Sequence, residues 1–388
     1  MAVLEPFRAV RFAPRIDAGL VTSPPYDVIS DAQREGLLEA DPHNIVRIIL
    51  PSAAPGGDRF TQAAAEFRRW LAAGILVADA EPAHYAYRMD YEVGGRARST
   101  GGLIGALVLE EPGQGIFVHE HTMPKPRSER RDLTRAARAN LEPIWLTGGD
   151  GVIGPLVAAA GDGQPLVDVT DPVGVRHRAW ALAPAASAAL AAGIDTPLVI
   201  ADGHHRFAAS LALRDELRAA EGPGPWDATL ALVSDPTDEP PSLLPIHRLT
   251  DLTAAEVAAA GTLEPFAGDA AALAGHLAAG GPGTIGLATA AGRWTMAIDP
   301  PTLGAPDTSW VATHLLEGAG RAVEVAYEHD LDAVAAGVSA GRLAILLAPI
   351  PVRTVIETAL AGKVMPPKST LFWPKPRTGV VMRDFERP

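Results

Sequence analysis

The stretch Pro197-Leu198-Val199-Ile200-Ala201-Asp202-Gly203-His204-His205-Arg206 decides how the chain is read. Its apolar half reads as a buried strand, Gly203 as a turn residue, and Phe207, Leu211 and Leu217 as one face of the helix that follows. A strand that passes through a glycine into a helix start gathers backbone N–H groups and the positive end of the helix dipole at one point, which makes an anion site. Gly203 lets the backbone approach a phosphate closely, and His204, His205 and Arg206 add donors, the guanidinium in bidentate fashion. Asp202 has two readings: a ligand for magnesium beside the phosphates, or the acceptor of a proton from a nucleophilic hydroxyl. A plain helix cap is the competing explanation. Two histidines and an arginine clustered at one helix start favour a site.

Outward from this unit, β-rich runs alternate with amphipathic helical stretches, which predicts an α/β or α+β fold of mixed sheets with flanking helices. Expected strands cover 44–50, 84–91, 103–109, 197–201, 229–233, 284–287, 294–298 and 343–347; expected helices cover 60–73, 128–140, 185–192, 206–220, 254–260, 270–279 and 332–337. The length of 388 residues suggests two domains. The Pro-, Asp- and Ser-rich stretch 234–245 places the division near Asp251, giving a phosphate- or nucleotide-binding body over 1–250 and a second α/β region over 251–388. The proline-dense tail, 362–388, reads as an extended segment that returns to the site.

Several other segments carry chemistry. His119-Glu120-His121 leads into Pro124-Lys125-Pro126-Arg127 and a helix whose Arg127, Arg131, Arg135 and Arg138 share a face. Glu120, Lys125, Arg127 and Arg131, next to the loop, are the site candidates; Arg135 and Arg138 read as a solvated face. His119 and His121 would suit a metal pair, but no third ligand is evident. Tyr26 and Asp27 sit on a rigid turn, Asn44 and Arg47 on an expected strand, and His247-Arg248 and His329-Asp330 end apolar runs. In the tail, Lys368, Ser369, Thr370, Lys375 and Arg377 are presented by prolines that fix the backbone in advance.

Composition narrows the partners. The chain has 46 acidic and 33 basic residues, a formal charge of −13, which argues against a polyanion or membrane surface and for a small anionic ligand or nucleotide. Only four basic residues are lysine: Lys125, Lys363, Lys368 and Lys375. The absence of cysteine excludes disulfides, thiolate metal sites and a cysteine nucleophile. No signal-like or membrane-spanning run is visible, so a soluble cytoplasmic protein is expected.

Pro25 through Ile29, Asn44 through Arg47, His119 through Arg131, Ala201 through Arg206, Leu244 through Arg248, His329-Asp330 and Met365 through Arg377 resemble, in the same order, the motifs of the bacterial and archaeal family called domain of unknown function 1015. The Asp-Gly-His-His-Arg core is in turn similar to the phosphate-contacting motif of the ParB and sulfiredoxin superfamily, which includes partition-protein CTPases, sulfiredoxins and free-serine kinases. Sulfiredoxin activity is excluded by the lack of cysteine. The resemblance implies a ParB/sulfiredoxin-like core around the motif and a small-molecule kinase that moves a phosphoryl group from ATP, ADP or pyrophosphate, with Mg²⁺, to a hydroxyl acceptor, free L-serine being favoured. On that reading His204, His205 and Arg206 hold the phosphates with Gly203. Lys125, Arg127 and Arg131 neutralise charge, Lys368, Ser369 and Lys375 close from the tail, and Asp202 or Glu120 serves as base or metal ligand. Tyr26, Asp27, Asn44, Arg47, His247 and Arg248 would face the acceptor. Two alternatives stay open: a nucleotide-binding or -hydrolysing regulatory module without an acceptor, and a DNA-associated ParB-like protein, which an acidic chain with no visible helix-turn-helix disfavours.

Overall fold

Apolar β-branched runs and amphipathic stretches alternate along the chain, and in the computed structural model they form mixed sheets with flanking helices. The structure describes residues 2–52, 57–122, 124–148, 151–190, 194–237, 239–299 and 301–387, without the side chains of Pro124, Lys125 and Ala189. Two compact units are present. One comprises Met1–Phe117, Thr122–Pro241 and Pro374–Pro388, the other Val118–His121 and Ser242–Trp373. The chain thus passes between units at 241/242 rather than 250/251, and a short loop and the C-terminal tail are exchanged across that division.

The first unit is built on a nine-stranded sheet of β1 (Leu4–Glu5), β2 (Tyr85–Val93), β3 (Arg96–Val108), β4 (Ile116–Phe117), β5 (Ile144–Thr147), β6 (Val167–Thr170), β7 (Arg176–Ala181), β8 (Leu198–Asp202) and β9 (Ala228–Ser234). The order is β4-β8-β5-β9-β3-β2-β7-β6, with β1 also on β3. Strand β8 runs parallel to β4 and antiparallel to β5, and β9 runs parallel to β5. All five residues of β8 are buried, which is why it reads as a continuous apolar run rather than an alternating one. Its register with β5 slips between Ile200 and Asp202, a bulge that re-aims Asp202 at the point where the chain turns into a helix.

Helix α1 (Pro124–Ala137) packs against helix α2 (His204–Glu221) in the same unit. Prolines are tolerated in a first helical turn, where N–H groups lack partners, so α1 starts four residues before the expected Ser128. It stops at Ala137; Arg138 takes φ 48°, and Ala139–Asn140 leaves as a strand instead of continuing the helix to Asn140. A four-stranded sheet in the order Leu76–Ala78, Ala9–Phe12, Met382–Asp384, Ala139–Asn140 ties the tail into this unit through Ala9↔Arg383 and Arg383↔Asn140.

The expected strand over 44–50 is instead a helical turn, Val46–Ile49. Ile45, Val46, Ile48 and Ile49 are all fully buried, so packing on every side overrides the β preference of branched residues. Ile45, Ile48 and Ile49 join Val10, Phe67, Trp70 and Met382 in one core.

The second unit holds a six-stranded antiparallel sheet in the order Glu264–Pro265, Gly292–Ala297, Thr284–Thr289, Leu343–Leu346, His247–Thr250, Val325–Glu328. Alternation along its central strands sends Ile285, Leu287 and Ile345 into one core with Val311 and Leu315, and Ala288, Ala344 and Leu346 into another with Leu273, Leu277, Val334 and Val338. Ser242–Leu244 pairs with Leu371–Trp373 in a separate ribbon. Among the described residues no helix is long and apolar enough to cross a membrane.

Candidate functional site

Strand β8 ends in Asp202, which is 8% exposed, and Gly203 turns the chain with φ 92°. That left-handed conformation suits glycine, and a β-carbon there would lie 3.0 Å from Arg206 Nε, so the missing side chain also makes room for the guanidinium to fold back over the turn. Gly203 is itself the N-cap of α2, and no side chain caps the helix. The first intrahelical bond runs from Phe207 N–H to the Gly203 carbonyl at 2.9 Å. Asp202 is therefore not a capping residue. Its Oδ2 accepts from Arg206 Nη2 at 2.6 Å, and its Oδ1 accepts from Lys375 Nζ.

Lys375 comes from the tail, 173 positions away, and is 10% exposed. Its segment is pinned by Arg377, whose N–H donates to Tyr87 Oη at 2.9 Å and whose guanidinium donates to Thr22 Oγ1 at 2.5 Å and Thr22 O at 2.9 Å. Burial alone would raise the Asp202 pKa, but Lys375 and Arg206, with a smaller contribution from His204, outweigh it and hold the carboxyl below its usual range. Asp202 is thus an anion at all ordinary pH values.

Arg206 is also anchored by donating Nη1 to the Pro143 carbonyl, while its Nε is buried without a hydrogen-bond partner. Burial opposes its charge, yet Asp202, then Glu142, Asp27 and Tyr26, more than compensate and raise its pKa. The turn at Tyr26 and Asp27 is thereby brought to the same place as the β8–α2 junction. Tyr26 N–H donates to Glu142 Oε1 at 3.1 Å, and the Arg130 guanidinium lies 4.1 Å over the Tyr26 ring. Burial, followed by the neighbouring Asp27, pushes the Tyr26 phenol upward, so it remains a donor. A polar cavity of about 30 Å³ beside Arg206 is walled by Arg130, Asn140, Glu142, Ser210 and Thr229.

Arg130, Glu142 and Thr378 were not among the residues singled out from sequence. Arg130 is 6% exposed, donates to the Ile49 carbonyl at 2.8 Å and lies 3.9 Å from Glu142, which also accepts from Thr378 Oγ1 at 3.0 Å. The arginine stripe marked the solvent face of α1, whereas the inward-facing arginine is one position off it. Arg127 is exposed, Arg131 pairs with Asp132 at 3.2 Å, and Arg135 and Arg138 tie α1 to α2 through Glu216 at 2.6 Å and Glu221 at 2.8 Å. The Lys125 side chain lies outside the described residues. Asn44 and Arg47 are engaged locally: Asn44 Nδ2 donates to Leu20 O at 2.7 Å, its Oδ1 accepts from Val46 N–H at 3.0 Å, and the exposed Arg47 donates to Leu38 O.

Within the second unit, the loop carrying His119 and Glu120 meets the Lys368–Thr370 segment. His119 Nε2 lies 2.9 Å from Thr370 Oγ1, and Glu120 Oε1 accepts from Lys368 N–H at 3.0 Å. Lys368 adopts φ 61°, a conformation that costs a non-glycine residue about 1–3 kcal/mol and needs support from its surroundings. Arg248, 3% exposed, supplies some of it by donating to the Lys368 carbonyl at 3.0 Å, and burial lowers its pKa to about 10. His247 accepts from Leu347 N–H at 3.2 Å through Nδ1 and is held at about 4 by burial, then by Arg248 and His329. The Ser369 hydroxyl bonds Pro366 O at 2.7 Å and Thr308 Oγ1 at 2.8 Å. Asp330 caps the helix Leu331–Ser339, which is a structural duty. Among the described residues no three His, Asp or Glu side chains gather as metal ligands.

The family model described as "Protein of unknown function (DUF1015)" matches residues 4–316, and the chain belongs to that family. No curated protein matches the sequence. Among solved structures, a point mutant of a free serine kinase in complex with AMP is similar at 13% identity, with 72% of this chain and 91% of that chain covered and a TM-score of 0.41. A second mutant of a free serine kinase, in complex with ADP, is 13% identical over 72% and 91% of the two chains, with a TM-score of 0.40. SbnI with a C-terminal truncation, from Staphylococcus aureus, is 10% identical over 72% of this chain and 86% of that one, again at 0.40.

Proposed function

We propose that this protein is a small-molecule phosphotransferase whose β8–α2 junction holds the phosphates of a nucleotide or pyrophosphate. The observation that carries the reading is the pair of buried cations, Arg206 and Lys375, converging on Asp202 at a helix start that no side chain caps. Phosphoryl transfer asks the protein mainly for positioning and charge neutralisation, and this junction offers fixed donors in a desolvated place. In the proposal the phosphates lie against the first turn of α2, take a hydrogen bond from Arg206 Nε, and are flanked by His204, His205 and Lys375. Asp202, kept ionised by its partners, is a weak proton acceptor; its role is to hold Lys375 and Arg206 in place.

Both Asp202 oxygens are occupied, and among the described residues no cluster of metal ligands surrounds them. Magnesium in this reading enters with the donor phosphates. The acceptor is a small hydroxyl compound, with free L-serine favoured on the resemblance of the Asp202–Arg206 motif to that of free-serine kinases.

The test is to incubate the purified protein with Mg²⁺, each of ATP, ADP, CTP and pyrophosphate, and a pool of amino acids and hydroxy acids, and to search for phosphorylated products by mass spectrometry. Phosphoserine formed with one donor is the expected result. Nucleotide binding without any product would mark a regulatory module instead. No donor consumed, together with unchanged nucleotide binding in His204→Ala and Arg206→Ala, would remove the phosphate cradle altogether.

A further inference from the structure

The second unit contains a cavity of about 480 Å³, within the size range of small-molecule sites. Its walls are largely apolar: Pro282, Pro301, Pro306, Pro351, Leu303 and Met365 contribute to them. Two polar residues of this lining are buried, Thr358, whose hydroxyl donates to the Thr354 carbonyl at 2.7 Å, and Asp307, which is 5% exposed and carries the buried carboxylate. Both of the Asp307 carboxylate oxygens lie 3.1 Å from one and the same donor, the Gly283 N–H, and among the described residues it has no ion-pair partner. Burial accordingly raises its pKa, with the Gly283 amide opposing.

The other acidic group of the lining, Glu357, is already answered by Arg353 at 2.7 Å, and among the described residues no lysine, arginine or histidine is part of the lining; Lys363, which packs on Gly304, spends its ammonium on the Leu303 carbonyl at 3.1 Å. A buried carboxylate that shares one amide is far from satisfied, since an ionised carboxylate has about four acceptor positions. The fold alone does not call for a charge here, because a neutral acceptor would serve the Gly283 amide equally well. The helix that starts at Asp307 widens after Trp310 into a π-helix, Val311–Glu317, and π turns concentrate at functional sites.

We propose that this cavity binds a small organic cation, a primary ammonium compound with an apolar body, whose NH₃⁺ pairs with Asp307 while its body packs on the proline-rich wall. The cavity is built from other residues than the β8–α2 junction, and the proposal does not depend on the phosphotransferase reading.

Isothermal titration calorimetry of the full chain with n-butylamine and benzylamine, against n-butanol and benzyl alcohol, tests it directly. Each amine should bind about tenfold or more tightly than the matching alcohol, and Asp307→Asn should remove that preference while keeping an acceptor for Gly283. Thr354→Phe, which fills the cavity without touching the carboxylate, should abolish binding of both. A crystal soaked in benzylamine should show the ammonium beside Asp307. Equal binding of amine and alcohol by the wild-type chain, no heat from either amine, or an amine located elsewhere would overturn the proposal, and these wild-type measurements decide it even if a variant fails to fold.

Discussion

Replacing Lys375 by Met removes one of the two cations on Asp202 and leaves a carboxylate that is 8% exposed with Arg206 as its remaining partner. Breaking a buried ion pair from one side costs about 3–5 kcal/mol, because the surviving charge stays desolvated. At roughly 2–4 °C per kcal/mol for a unit of this size, the melting temperature at pH 7 should fall by about 6–20 °C. The pH dependence separates this cause from lost packing. The Asp202 carboxyl is depressed in the folded state, so its stabilisation is present above the ordinary carboxylate pKa of about 3.9 and is lost as pH falls through the lower folded value. Removing Lys375 takes away the largest favourable contribution, so the variant's carboxyl protonates at a higher pH, and the gap in stability between wild type and variant should narrow steadily below about pH 4. Asp202→Asn should cost less in the Lys375→Met background than in the wild type, because part of what it breaks is already gone, whereas two independent sites would add. Chemical denaturation between pH 3 and pH 7 measures all four proteins. A gap that stays constant with pH, or single losses that simply add, would refute the buried triad.

Gly203→Ala places a β-carbon at φ 92° against Arg206 Nε, so it should cost about 1–3 kcal/mol and weaken ADP binding, read by thermal melts and calorimetry; an unchanged melt would contradict the turn geometry. His247, held at about 4 in the fold against about 6.5 when unfolded, stays neutral in the native state, so stability should decline as pH drops from about 6.5 toward 4. His247→Asn keeps an acceptor for Leu347 N–H and should flatten that decline by up to one proton in denaturation experiments. Arg130→Met should loosen the Tyr26 turn through loss of the ring contact and the Ile49 bond, visible as faster proteolysis near Tyr26 and a cost of about 2–4 kcal/mol.

The β8–Gly203–α2 unit was legible because each of its parts has a local cause: a run buried on both faces, a residue able to turn with positive φ, and a helix with an apolar stripe. The role of Asp202 was not, since an aspartate before a helix caps more often than it pairs. What decided the matter is a lysine 173 positions away, and sequence separation of that kind leaves no periodic trace. The arginine stripe on α1 misled in a related way. Periodicity finds a face, but it does not say which face is buried, and Arg130 faces inward while Arg135 and Arg138 meet carboxylates on α2. At 44–50 the branched residues predicted a strand, and burial on all sides made a helical turn.

A chain of net charge −13 presents an obstacle to any anionic ligand, and the Asp202 triad shows how it can be met locally. Two buried cations with nothing between them would destabilise the empty protein, whereas Asp202 compensates one of them and leaves the triad itself with one positive charge, with Glu142 and Asp27 nearby. A phosphate would then meet cations already dehydrated and fixed in direction, together with an unpaired guanidinium N–H and the dipole of an uncapped helix, so little reorganisation is left to oppose binding. Desolvated pairs are also screened weakly by salt. The attraction in this arrangement is therefore short-ranged and depends on fit to the turn, which is what distinguishes a small phosphate-bearing ligand from a nucleic acid held by surface charge.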